Sequence, residues 1–265
     1  MKRNFANLVL LMLCIRYDPV HACQFLPSTQ NVAKCDYGAF QVWLSCRDRL
    51  AVLSLIPSLG VDTGKLNTSR RAYFLDEKAI PTGCQQTSSK TYATKHKGYD
   101  VGHLSAIDHF DDDLSIALKT NAMTNMVPQA SKFNQTGAWK MTETLVECYR
   151  ESHAPLTILS GVILGSKTDD DYFVASHGIT RTPDYMWKLI LGNSSYDAWI
   201  MRNTDESDVA SLESSRRSIA QLIQTLELQK ESIYEPVIDK LKELESTNLK
   251  WERFSYHSKC HLRKG

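Results

Sequence analysis

The chain reads as an α+β fold: a central, mainly antiparallel sheet flanked by helices, with a helix-rich C-terminal region. Three observations carry this reading. Apolar runs come in hairpin-like pairs, with alternation at residues 40–44 and a second run at 50–56. Residues 137–150 switch to the 3.6-residue period of an amphipathic helix. Strand and helix signals do not alternate in the βαβ rhythm that a parallel sheet requires.

Taken in order, residues 35–56 supply the first strands, with Phe40 to Leu44 alternating and Leu50 to Ile56 apolar throughout. Residues 70–76 and 79–81 read as a further short strand and turn. Asp111 to Asp113 forms an acidic loop or helix start, and residues 115–123 have helical character. On the helix at 137–150, Trp139, Met141, Leu145, Val146 and Tyr149 share the apolar face. Residues 155–165 are another strand, and 186–191 with 198–201 are an antiparallel pair around Gly192-Asn193. From 207 to 249 Leu222, Leu226, Ile233, Val237, Leu241 and Leu244 recur at helical spacing, and Pro236 marks a break or kink.

With 265 residues, 42% of them hydrophobic, the chain can bury a sizeable core. Its N-terminus reads as a secretory leader over residues 1–22: Lys2 and Arg3, an 11-residue apolar run from Phe5 to Ile15, then Val20-His21-Ala22 as a cleavage site. That run is too short for a membrane anchor. Cys23, directly after Ala22, also permits a lipoprotein reading, which His21 fits poorly. Residues 23–265 are then one domain, secreted or periplasmic. Seven cysteines are present; loss of the leader removes Cys14 and leaves Cys23, Cys35, Cys46, Cys84, Cys148 and Cys260, an even set that predicts three disulfides of undetermined pairing. The full chain has 31 Lys and Arg against 30 Asp and Glu; without Lys2, Arg3, Arg16 and Asp18 the balance is 28 to 29. That argues against tight, processive nucleic-acid binding and leaves room only for a local basic patch.

The chemistry concentrates at residues 99–143. Tyr99-Asp100-Val101-Gly102-His103-Leu104 places a histidine in a strand-to-turn context. Imidazole is the side chain whose ordinary pKa suits a general base near neutral pH. Thirty-one residues later comes Asn134, a neutral oxygen ligand on what reads as the opening of the next helix. Mg²⁺ keeps most of its waters and needs few protein ligands, so one carbonyl oxygen can suffice. Asn121, Asn125 and Glu143 add polar groups in step. Asn134-Gln135-Thr136, Asn67-Thr68-Ser69 and Asn193-Ser194-Ser195 are also glycosylation sequons.

Asp100, Gly102 and His103, then Asn121, Asn125, Pro128 and Gln129, then Asn134, Gln135, Ala138, Trp139 and Glu143 resemble, in this order, the signature of the DNA/RNA non-specific endonuclease family. This is the ββα-metal group of nucleases that includes endonuclease G and secreted sugar-non-specific enzymes. The resemblance covers roughly residues 37–228. It implies a ββα-metal fold with His103 as general base, Asn134 as the Mg²⁺ (or Mn²⁺) ligand and Glu143 holding metal-bound waters. Asn121 and Asn125 then place water, metal shell or phosphate. The implied activity is hydrolysis of DNA and/or RNA to 5′-phosphorylated products.

Two positions depart from the family pattern. Val101 and Glu147 stand where arginines are expected to meet phosphate. Arg150, Arg181, Lys188 and the run Lys95-His96-Lys97 are the replacement cations, with Lys95, Lys97 and Arg181 assigned to substrate. One residue more than is usual separates Asn134 from Trp139. These departures motivate the rival expectation of a catalytically impaired nuclease fold that binds nucleic acid or a host partner. A simple loss of the first arginine also predicts that Val101→Arg raises turnover.

Overall fold

The computed structural model describes residues 23–27, 29–63, 72–76, 81, 83–92, 98–246 and 252–254. The leader, Asn67, Lys95, Lys97 and Cys260 lie outside the described residues. The strands are β1 (Gln24–Leu26), β2 (Thr29–Asp36), β3 (Gln41–Ser45), β4 (Leu50–Leu59), β5 (Tyr99–His103), β6 (Met126–Ala130), β7 (Leu156–Ile163), β8 (Tyr185–Leu191), β9 (Ser195–Arg202) and β10 (Glu252–Arg253). The helices are α1 (Leu114–Lys119), α2 (Ser131–Gln135), α3 (Ala138–His153), α4 (Val174–His177), α5 (Ile219–Leu228) and α6 (Glu235–Glu245).

Eight strands form one sheet in the order β1-β2-β3-β4-β7-β8-β9-β10. Every neighbouring pair is antiparallel except the two-residue β9–β10 pairing. This is the α+β architecture expected. The long central strands are buried almost end to end, so side chains on both faces are covered and strict alternation is lost. Pro57 sits where the β4–β7 register shifts, which is where an interior strand tolerates a residue without an N–H. α3 packs on β7 and α5 on β9. The β8–β9 hairpin turns at Gly192-Asn193, as expected.

Several expectations change. At 72–76 the chain makes only an isolated bridge from Phe74 to Ala122, not a strand. The stretch at 115–123 holds the short α1, and a 3₁₀ turn over Met123–Asn125 follows it. Pro236 opens α6 instead of kinking a longer helix; its missing N–H costs nothing in the first turn. Cys23 is disulfide-bonded to Cys35, so its thiol is not available for a lipid, and Cys46 is bonded to Cys84. Cys148 on α3 is also in a disulfide. Among the described residues no helix is long and apolar enough to cross a membrane.

A separate two-stranded ribbon, β5 with β6, rides on β4 and carries the motif residues. Its register sets Asp100 opposite Gln129, Gly102 opposite Val127 and His103 opposite Met126. Buried polar contacts fasten this ribbon and its flanking loops. Ser54 Oγ meets Ser105 Oγ at 2.6 Å and Tyr37 Oη meets Thr124 Oγ1 at 2.6 Å. The Gln86 amide donates to the carbonyls of Met123 and Met126. Asn203, just past β9, donates to the Pro128 carbonyl and accepts from the Ala130 N–H. Each of these buried groups is thereby satisfied, so the ribbon is held rigidly against the sheet.

Candidate active site

His103 ends β5. A side chain at position 102 would collide with Gln129, because a Cβ there would lie 2.1 Å from the Gln129 carboxamide carbon. Gly102 lets the Gln129 side chain cross the ribbon and donate to the His103 carbonyl at 3.3 Å. The glycine before the histidine and the glutamine on the facing strand are thus one device that fixes the backbone of the base.

The His103 ring is fixed from the other side. Its Nε2 lies 3.0 Å from Asn121 Oδ1. An amide oxygen only accepts, so with this orientation Nε2 carries the proton and Nδ1 keeps its lone pair. Burial pushes the imidazole pKa below its ordinary value, against the opposing pull of Asn121, Glu143 and Asp108. The ring is therefore neutral at pH 7, as a base must be. Among the described residues Asn121 Nδ2 is buried without a hydrogen-bond partner.

Asn125 has a different role from the one expected. It is 0% exposed, and its amide donates to the carbonyls of Ser105 and Thr120 while its oxygen accepts from the Ser105 N–H. Both of its amide N–H groups and its oxygen are engaged by the loop behind His103, and its backbone carbonyl takes the Leu104 N–H. Asn125 shapes the site and has no free atom to offer a substrate.

Asp100 organises the second wall. Its carboxylate accepts from Ser131 Oγ at 2.9 Å, Asn134 Nδ2 at 2.9 Å and Gln135 Nε2 at 2.8 Å. Asn134 therefore does not open α3; it sits in the short α2, latched to β5. Two residues, Thr136 and Gly137, separate α2 from α3. Gly137 is needed there, because a Cβ would lie 2.6 Å from the Ser207 carbonyl that accepts the first N–H of α3.

His103, Asn134, Gln135 and Glu143 line one cavity of about 270 Å³, together with Ala106, Ile107, Asp108 and Lys140. Lys140 Nζ lies 3.4 Å from Glu143 and 3.5 Å from Asp108. Burial works against the Lys140 charge, but the two carboxylates outweigh it and raise its pKa. Sequence reasoning missed Lys140 and Asp108; the i, i+3 spacing of Lys140 and Glu143 on one helix face was the available signal. A larger cavity of about 590 Å³ lies at Gly165, Asp184, Leu228 and Gln229. It contains no base of suitable pKa beside a phosphate-binding cation, so the chemistry points to the smaller one.

The remaining cations fall elsewhere. Arg181 is held by Asp48 and Glu231, with contacts of 2.8–3.2 Å, and does not line the His103 cavity. Glu147 bonds His109 Nδ1 and, at 2.9 Å, Arg150 Nη1. Arg150 also donates to the Gly60 carbonyl and is 1% exposed, so neither residue is free to meet phosphate. Val101 is 6% exposed within the core cluster.

The donor set suits a hydrated hard cation. The Asn134 amide nitrogen is used by Asp100, which leaves its oxygen as the ligand atom, and Glu143 offers a carboxylate in the same cavity. Among the described residues no group of three His, Cys, Asp or Glu is arranged to hold a metal. Of the three sequons, Asn134 is committed to this cavity, Asn193 is exposed at the β8–β9 turn and Asn67 lies outside the described residues.

The model of the family described as DNA/RNA non-specific endonuclease matches residues 24–228. No curated protein matches. Among solved structures, a crystal structure of the EndoG/EndoGI complex shares the fold, with a TM-score of 0.58 at 17% sequence identity over 75% of this chain and 84% of that one.

Proposed function

We propose that this chain, which belongs to the DNA/RNA non-specific endonuclease family, is an exported Mg²⁺-dependent endonuclease that cleaves DNA and/or RNA with little base specificity. One observation carries the reading: a neutral, oriented His103 shares a cavity with Asn134, Glu143 and Lys140. His103 Nδ1 takes the proton of the attacking water. The Asn121 oxygen holds the ring in the required tautomer and steadies the imidazolium that results. Asn134 Oδ1 and the Glu143 carboxylate would hold the cation and its waters. A divalent ion there would supply positive charge for the scissile phosphate and the leaving oxygen. Lys140 supplies the phosphate cation that Val101 and Glu147 do not. Contacts to phosphate and sugar carry no sequence information directly, which fits low base specificity. The disulfides support an oxidising destination, reached through removal of residues 1–22.

The decisive assay is plasmid nicking and RNA cleavage by the mature chain in Mg²⁺ or Mn²⁺, with EDTA as control. Cleavage abolished by EDTA is expected. An inert protein in both metals would leave an impaired nuclease fold that only binds nucleic acid.

Two further results follow from the geometry. The acid limb of kcat/KM against pH should have its midpoint below 6.5, the ordinary histidine value, because burial lowers the folded pKa of His103. Activity persists while the ring is neutral and falls as pH drops through that lowered value. A midpoint above 7 would remove His103 as the base. Asn134→Ala should weaken Mg²⁺ binding at least ~10-fold and reduce cleavage in parallel. Calorimetry with unchanged Mg²⁺ affinity would assign the metal to another residue.

A further inference from the structure

Lys188 places a charge in the interior of the sheet. It lies mid-strand in β8, paired with Ser160 on β7 and Trp199 on β9, and is 0% exposed. Among the described residues its Nζ has no hydrogen-bond partner. It rests 4.0 Å from the centroid of the Trp139 ring, in the first turn of α3. Trp139 lies one helical turn before Glu143, and the ammonium interacts electrostatically with Glu143, Glu147 and Lys140. Burying an ammonium without hydrogen bonds opposes folding, and a methionine of similar length would fill the space without that cost. The Trp139 ring offsets part of that cost through a cation–π contact, and the same contact ties the charge to the helix that carries Glu143.

We propose that Lys188 is a positioning residue of the nuclease site: a cation buried beneath α3 whose field reaches the cavity through Glu143. The inference rests on the nuclease reading given above. In a low-dielectric interior a charge acts over a longer range than in water. A positive charge behind Glu143 favours the negative charge that builds on the phosphate during attack. It also opposes binding of a divalent cation in the same cavity. The two effects have opposite signs, which distinguishes an electrostatic role from a packing role. Burial pushes the Lys188 pKa down to about 8, so the group remains largely charged near neutrality.

The test compares Lys188→Met, which removes charge at similar volume, with Lys188→Arg, which keeps it, in the full mature protein. Lys188→Gln serves as a second neutral variant should Lys188→Met fail to fold. Two quantities are read: kcat on a short duplex at saturating Mg²⁺, and Mg²⁺ affinity by calorimetry without nucleic acid. The neutral variant should lose about tenfold in kcat and bind Mg²⁺ about threefold more tightly, with Tm unchanged or higher. Lys188→Arg should restore both values most of the way. A neutral variant with wild-type kcat and wild-type Mg²⁺ affinity overturns the proposal, as does a fall in kcat accompanied by weaker Mg²⁺ binding. A wild-type protein that neither cleaves nor binds Mg²⁺ instead sinks the nuclease reading itself, and this proposal with it.

Discussion

Replacing His103 with alanine is expected to lower cleavage by at least ~100-fold, the scale for removing a general base, while the protein stays folded. The ring makes one polar side-chain contact, to Asn121, and its backbone is held by Gln129 and the β5–β6 ladder. Loss of the ring leaves those backbone contacts in place and deprives Asn121 of its side-chain partner among the described residues, a cost of about 1–2 kcal/mol. Cleavage kinetics together with a thermal melt separate the two effects. Near-normal turnover in a folded variant would mean that another group activates the water. The companion substitution Asn121→Ala should act through the ring, by freeing its tautomer and orientation, and so reduce turnover less than loss of the ring itself.

What was legible beforehand follows a physical division. His103, Asn121, Asn134 and Glu143 stand at fixed spacings because a ribbon of two strands and a helix brings them to one place, and such spacing survives in a linear sequence. The sheet was legible because β3, β4, β7 and β8 are apolar runs bounded by turn residues. Asn125 was misjudged because a spacing does not say whether an amide faces a cavity or a backbone loop. Only its three backbone contacts reveal that. Arg181 was misjudged for a related reason: its partners Asp48 and Glu231 lie 133 and 50 residues away in sequence. Charge pairing over such separations leaves no local trace. Lys140 and Asp108 escaped because neither stands at a signature position. Each enters the cavity through the orientation of an element, α3 for one and the turn after β5 for the other.

Val101→Arg should destabilise the protein by roughly 3 kcal/mol, a fall in Tm of roughly 5–10 °C, and should give no gain in turnover. Sequence alone suggested the reverse, on the view that a missing arginine leaves the phosphate under-neutralised. The structure changes the argument at two points. Val101 is part of the core, opposite Pro128 on β6, with the Tyr73 hydroxyl donating to its carbonyl at 3.4 Å. A guanidinium introduced there displaces packed apolar atoms and has to be desolvated; Asp100, the adjacent carboxylate, is already engaged by Ser131, Asn134 and Gln135. Drawing Asp100 toward a new arginine would also loosen the latch that orients Asn134. The cavity meanwhile already contains Lys140, so an added cation meets like charge. Melting curves and steady-state kinetics on the same preparation decide the matter. A variant as stable as wild type that turns over faster would show that position 101 opens onto the cavity, and that Lys140 does not carry the phosphate charge assigned to it.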